Sequence, residues 1–241
     1  MLVTHNTVER FIWWVLVVAA ALLVKGIYSG ASEQDLQWML EPLAAMTQFF
    51  TGMEFNLNTA GEWVNTQNNI AIVKSCAGLN FMVLSLLAAG MRFEPKIKLS
   101  WYWGKTFVVN ILLCVLIAWG MTLAVNTVRI LLSIFLFRYE ITFLGFSIEQ
   151  VHRLAGILIY FPALWLQLVL FSRLNTVRAG YFSAILYLGL VIVVPLLTGN
   201  YKINPDLFAE HAYFTFGTLL FICSICLFIR ELLNRHIKKI I

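Results

Sequence analysis

Apolar residues run through this chain in stretches long enough to cross a bilayer, and polar residues gather between them. A hydrocarbon core of about 30 Å needs roughly 20 consecutive, mostly apolar residues in a helix. Six segments meet that length approximately, at residues 11–28, 77–93, 106–125, 154–171, 181–197 and 212–229. The pattern predicts an all-α, polytopic membrane helix bundle, read as one membrane domain over 1–241. The first span opens Phe11-Ile12-Trp13-Trp14, rings that favour the headgroup level. It reads as an anchor, with a cleaved signal peptide ending near Ser29-Gly30-Ala31 as the rival. Lys25 near its end is placed to snorkel to the interface.

Two connections stand out. Residues 30–75 are long and polar, with amphipathic pieces such as Leu36-Gln37-Trp38-Met39-Leu40, and read as an extramembrane segment. Residues 126–150 alternate apolar runs with Arg129, Arg138, Glu140 and Glu149. Interfacial or re-entrant helices suit that alternation. The competing parse, another crossing over 130–146, would hold Arg138 and Glu140 near mid-membrane, where charge is costly.

Composition sharpens the class. Of the 241 residues, 61% are hydrophobic and 12% charged, against roughly 25% charged in a soluble domain. The mean hydropathy is +0.83. The net charge of +5 would suggest nucleic acid in a soluble protein, but here it lies beside apolar spans and reports topology. Six crossings put Arg10, Arg92, Lys96, Lys98, Lys105, Arg173, Arg178, Arg230, Arg235, Lys238 and Lys239 on one side. That side reads as cytoplasmic, including the loop 94–100. Segment 30–75 is then extracytoplasmic, in a cytoplasmic (inner) membrane.

The four cysteines lie in or beside apolar segments, which argues against a disulfide scaffold. Cys223 and Cys226 form a C-x-x-C pair within an apolar run and are read as small packing residues in preference to a redox or metal site.

Three reactive groups fall at the outer ends of three spans. Cys76 stands where polar sequence meets the second span, in Lys74-Ser75-Cys76-Ala77-Gly78-Leu79-Asn80. Unpaired N–H groups at a helix start, and Lys74 beside it, favour negative charge on a thiol. Arg129 follows the third span, with Asn126 about one turn earlier as a further donor for an oxyanion. His152 opens the fourth span, and Glu149, three residues before it, could orient the ring. Taken singly, each has a structural explanation: an inert buried thiol, a snorkelling arginine, an interfacial histidine. Together they are the set for thiolate attack on a carbonyl, with His moving the proton and Arg holding the oxyanion.

Cys76-Ala77-Gly78-Leu79, then Asn126-x-x-Arg129-Ile130, then His152-x-x-x-Gly156, in that order between hydrophobic helices, resembles the exosortase and archaeosortase family over residues 74–170. The family's more usual Cys-Ser-Gly-Leu is altered at Ala77, followed by Asn80-Phe81, and the subtype it points to is exosortase K-like. The resemblance implies a catalytic core at 76–172 with Cys76 as nucleophile and Arg129 and His152 as its partners. Lys74, Asn80, Asn126 and Glu149 are the supporting or substrate-binding candidates. It implies cleavage of a C-terminal sorting tail on an exported protein through a thioester, and transfer to a lipid- or polysaccharide-linked acceptor. No metal, cofactor or nucleic acid is expected. From other classes, a non-enzymatic scaffold for exported proteins is the alternative, and a small transporter the third reading. The transporter would need polar groups at mid-span, where Asn110 and Thr122 are the ones in view.

Overall fold

The computed structural model describes residues 3–93, 103–142, 146–172 and 174–240, with side chains over 7–93, 105–142, 146–172, 174–199 and 201–224. The basic loop 94–100, Arg173, and the side chains of Cys226, Arg230, Arg235, Lys238 and Lys239 lie outside the described residues.

Eight α-helices are described: α1 (Val3–Gly30), α2 (Gln37–Thr51), α3 (Leu79–Arg92), α4 (Trp103–Arg138), α5 (Ile148–Phe171), α6 (Thr176–Leu188), α7 (Val194–Thr198) and α8 (Pro205–Ile240). A π-helical stretch, Gly189–Val193, joins α6 to α7 as one helical path. Among the described residues six helical segments are long and apolar enough to cross a membrane: Thr7–Gly30, Lys74–Arg92, Lys105–Arg138, Ile148–Phe171, Thr176–Thr198 and Pro205–Ser224. The chain is a polytopic, all-α bundle suited to a multi-pass membrane protein.

Helix α3 is the axis. At 14 residues it is only about 21 Å long, yet it packs against α1, α4 and α5. One side joins Trp13, Val17, Leu40 and Leu43 through Met82 and Leu86. Its other side joins Phe161, Leu164 and Tyr187 through Phe81, Leu84 and Ala88. A helix buried on both sides must be apolar around its circumference, which explains why its sequence reads like a span. Trp13 Nε1 donates to Gly90 O at 2.9 Å, pinning α1 to α3. A Cβ on Gly90 would meet Val17 at 2.9 Å, so glycine sets this close approach.

The expected end of the third span near 125, followed by interfacial helices, is corrected. Helix α4 continues unbroken for 36 residues, about 54 Å, well beyond a hydrocarbon core of about 30 Å. No Gly or Pro interrupts 121–138, Arg129 is hydrogen-bonded to groups on α5, as described below, and Arg138 stands at the helix end with Glu140 beyond it, so none of these charges forces the helix to turn aside. The projecting end of α4 is braced by α2.

Segment 31–73 is not an unstructured connection. It holds α2 and a three-stranded antiparallel sheet, β1 (Asn56–Leu57), β2 (Trp63–Asn65) and β3 (Ile70–Ile72), in the order β1-β2-β3. Helix α2 buries Met39, Leu40, Leu43, Ala44 and Thr47. It closes on Gly52, whose φ of 69° places its N–H on Gln48 O at 2.8 Å. Asn65 Oδ1 accepts from Asn68 N at 2.7 Å and shapes the β2–β3 turn.

Candidate active site

Cys76 reaches the site through two changes of backbone direction. Val73 is extended, Lys74–Ala77 form a 3₁₀ turn, and Gly78 takes φ 68° before α3 begins. Cys76 N donates to Val73 O at 2.7 Å, and its C=O accepts from Asn126 Nδ2. Gly78 is required twice over. Its φ suits glycine, and a Cβ there would lie 2.9 Å from Asn126 Cγ. Asn126 is fully buried, and its Oδ1 accepts from Tyr160 OH at 2.5 Å. The expected extra oxyanion donor is therefore corrected to a brace that ties the cysteine turn to α4 and α5.

Arg129 stands at the centre. Its Nη1 donates to Tyr160 OH at 3.3 Å, its Nη2 lies 3.2 Å from His152 Nε2, and its guanidinium carbon is 5.5 Å from the Tyr160 ring centroid. Nε is buried without a partner among the described residues. His152 Nδ1 lies 2.9 Å from Ser133 Oγ, and Ser133 Oγ lies 2.7 Å from Arg129 O. The protons follow from this geometry. A guanidinium only donates, so Nε2 must accept and Nδ1 carries the hydrogen. Ser133 then accepts from Nδ1 and gives its own hydrogen to Arg129 O. The network assigns a neutral imidazole with the proton on Nδ1.

Helical spacing explains the motifs. Asn126, Arg129 and Ser133 fall at i, i+3 and i+7 on α4, while His152, Gly156 and Tyr160 fall at i, i+4 and i+8 on α5; each set shares one face. Gly156 passes under the guanidinium, where a Cβ would meet Arg129 Nε at 3.4 Å. Tyr160 stacks on Phe81, ring centroids 5.2 Å apart. Ser147 starts α5 through a capping box with Gln150, which sets where His152 falls on the helix.

Two supporting residues make contacts other than those expected, and a third is held by a lysine of α1. Glu149 accepts from Ser147 Oγ at 2.8 Å and is exposed, so it serves the helix cap while Ser133 orients His152. Lys74 Nζ donates to Ala31 O at 2.5 Å and sits 5.0 Å from the Tyr28 ring centroid. Its charge is drawn toward α1 and it does not line the cysteine cavity. Asn80 Oδ1 accepts from Lys25 Nζ at 2.5 Å, and Asn80 lines the smaller cavity beside Arg129 described below. The mid-span polar groups are also internally satisfied: Asn110 Nδ2 donates to Phe93 O and Thr122 Oγ1 to Ala118 O.

Cys76, Arg129, Ser133 and His152 line one cavity of about 520 Å³, bounded by β3, the turn after it and the far half of α4. Arg129 and Arg138 are on its wall, and no Asp or Glu is among its lining residues, so the field inside favours anions. A smaller cavity of about 210 Å³ lies on the other side of Arg129, lined in part by Tyr28, Asn80, Arg153 and His211. There Arg153 pairs with Glu210 at 2.8 Å, and Gln150 Nε2 donates to the same oxygen at 2.7 Å. Among the described residues no group of three or more His, Cys, Asp or Glu side chains is placed to hold a metal ion.

Sequence reasoning had passed over Ser133 and Tyr160. Each was marked by its helical spacing, Ser133 four residues from Arg129 and Tyr160 eight from His152. No protein-family model, curated protein or solved structure matches the chain.

Proposed function

We propose that the chain is an exosortase-type membrane cysteine transpeptidase, working on the outer face of a cytoplasmic membrane on the C-terminal sorting tail of an exported protein. One observation carries the reading: Cys76, Arg129 and His152, from three separate elements, line a single cavity free of acidic side chains. Orientation is supported by α3, which begins just after Cys76 and ends at Arg92, so the basic end and the thiol are at opposite ends of one helix.

The resting contacts suggest an order of events. At rest Arg129 occupies His152 Nε2. An incoming acyl oxygen competes for Arg129 Nη2 and frees Nε2 to accept the Cys76 thiol proton, while Ser133 holds Nδ1–H in place. Sγ attacks the scissile carbonyl carbon, and Arg129 stabilises the oxyanion. Collapse breaks the C–N bond, His152 gives the proton to the leaving amine, and the acyl group remains as a thioester. A nucleophile on a lipid- or polysaccharide-linked acceptor then displaces Sγ, its proton passing through His152 to the thiolate.

The engagement of both His152 nitrogens favours a second reading, a non-enzymatic scaffold with an inert thiol. Labelling separates the two: a membrane-impermeant maleimide modifies a catalytic Cys76 faster than Cys223, which is partly exposed as Cys76 is, and equal rates support the scaffold. The direct test expresses wild type and Cys76→Ala with a tagged host protein bearing a candidate sorting tail, and follows the tail on a gel. Processing by the wild type alone supports the thioester route, and equal processing by both removes Cys76 from it.

A further inference from the structure

Strand β3 borders the reactive cavity in an unusual way. Residues 68–73 line it as six consecutive positions. Side chains alternate between the two faces of a strand, so a cavity lying over one face would be lined by every second residue. An unbroken run places the cavity along the edge. No residue of β2 takes part in the lining, so this is the edge facing away from β2. Among the described residues β3 pairs with β2 alone, and alternate peptide groups on that edge lack a ladder partner.

Across the gap, α4 offers Ile130, Ile134 and Phe137 at i, i+4 and i+7, an apolar stripe. The strand then runs through Val73 into the turn that carries Cys76. The trench thus has one wall that hydrogen-bonds, one wall that is greasy, and a reactive end. Asn69 turns away with φ 55°, and the four extended residues 70–73 span about 13 Å. A helical ligand about 10–12 Å across would keep its own backbone groups and leave the strand edge unsatisfied.

We infer that this trench holds the exported substrate as an extended strand added to the free edge of β3, between that edge and the apolar stripe of α4, with its scissile carbonyl delivered to Cys76 and Arg129. The inference rests on the transpeptidase reading and names how that substrate is gripped: through its main chain, paired to the edge of β3.

The test places the perturbation in the peptide and leaves the protein fold alone. The full chain in micelles, as Cys76→Ala so that binding is read without turnover, is immobilised and offered fluorescein-labelled randomised hexapeptides. Two further pools carry three N-methyl groups each, on alternate amides or on consecutive amides. Alternate methylation leaves one edge of an extended peptide intact, whereas consecutive methylation damages both edges in every register. The alternate pool is expected to be retained like the unmethylated one, and the consecutive pool about tenfold less, from a lost backbone hydrogen bond and the methyl group intruding on the strand. Equal retention of both methylated pools overturns strand addition, as does retention of the unmethylated pool no greater than by bare micelles. Tail processing without this positional dependence removes the strand site alone. The dependence without processing leaves a strand-binding site and removes the chemistry.

Discussion

Replacing Gly78 with Ala tests the joint that presents Cys76. At φ 68° an L-residue costs about 1–2 kcal/mol. The new Cβ would also lie 2.9, 3.0 and 3.2 Å from Asn126 Cγ, Nδ2 and Oδ1. That amide is fully buried and bonded to Cys76 O and Tyr160 OH. Moving it weakens two hydrogen bonds worth roughly 0.5–1.5 kcal/mol each, so Gly78→Ala should destabilise by about 2–4 kcal/mol. Asn126→Ala removes all three atoms the Cβ would strike, at its own cost of roughly 1–3 kcal/mol for leaving the two partners unpaired. In that background Gly78→Ala should cost only the backbone strain, about 1–2 kcal/mol. The double-mutant cycle should therefore show a coupling of about 1–2 kcal/mol, with the double variant more stable than additivity predicts. Unfolding of the full chain in mild micelles by titration with a denaturing detergent, followed by far-ultraviolet ellipticity, measures all four corners. An equal cost of Gly78→Ala in both backgrounds, within about 0.5 kcal/mol, would refute the contact and the account of why glycine follows Cys76-Ala77.

Other outcomes follow from the same contacts. Ser133→Ala removes the acceptor of His152 Nδ1–H and should lower tail processing on the order of tenfold to a hundredfold while moving the pH profile; Ser133→Thr should restore both, and an unmoved profile would make Ser133 merely structural. Gly156→Ala should be tolerated, its Cβ meeting Arg129 Nε at 3.4 Å, whereas Gly156→Leu should expel the guanidinium and abolish processing with helicity retained. Asp35, outside the spans, accepts from the N–H and hydroxyl of Ser32, and these bonds hold its carboxyl below the usual carboxylate range. With the folded value depressed, its contribution is present above the unfolded value of about 3.9 and lost as pH falls through the folded one. Limited proteolysis of residues 31–73 by an acid protease should accelerate over that window, and Ser32→Ala should flatten the dependence.

A bundle of about six apolar helices was legible along the chain, because a span needs only length and the absence of charge, both local properties. The sequence also marked Cys76, a thiol where polar residues meet the start of a span, and Arg129 and His152, polar groups at the edges of apolar runs. It misjudged α4: Arg138 and Glu140 weighed against a longer helix although Arg138 stands at its end, and Arg129 is expensive only if lipid surrounds it. The neighbours that satisfy it, His152 and Tyr160, lie 23 and 31 residues away. The sheet at 56–72 was faint for another reason: its strands are two or three residues long, too short for alternation to register. Which supporting residues meet depends on packing between elements far apart in the chain. Glu149 was judged by helical spacing to His152, but a capping serine two residues away competes for its carboxylate, while Ser133 comes to the ring from another helix. Packing of α4 against α5, and of the turn after β3 against Asn126, converts three separated motifs into one cavity. Such long-range pairing leaves no mark in local composition, because what fixes it is the fit of Gly78 against Asn126, far along the chain.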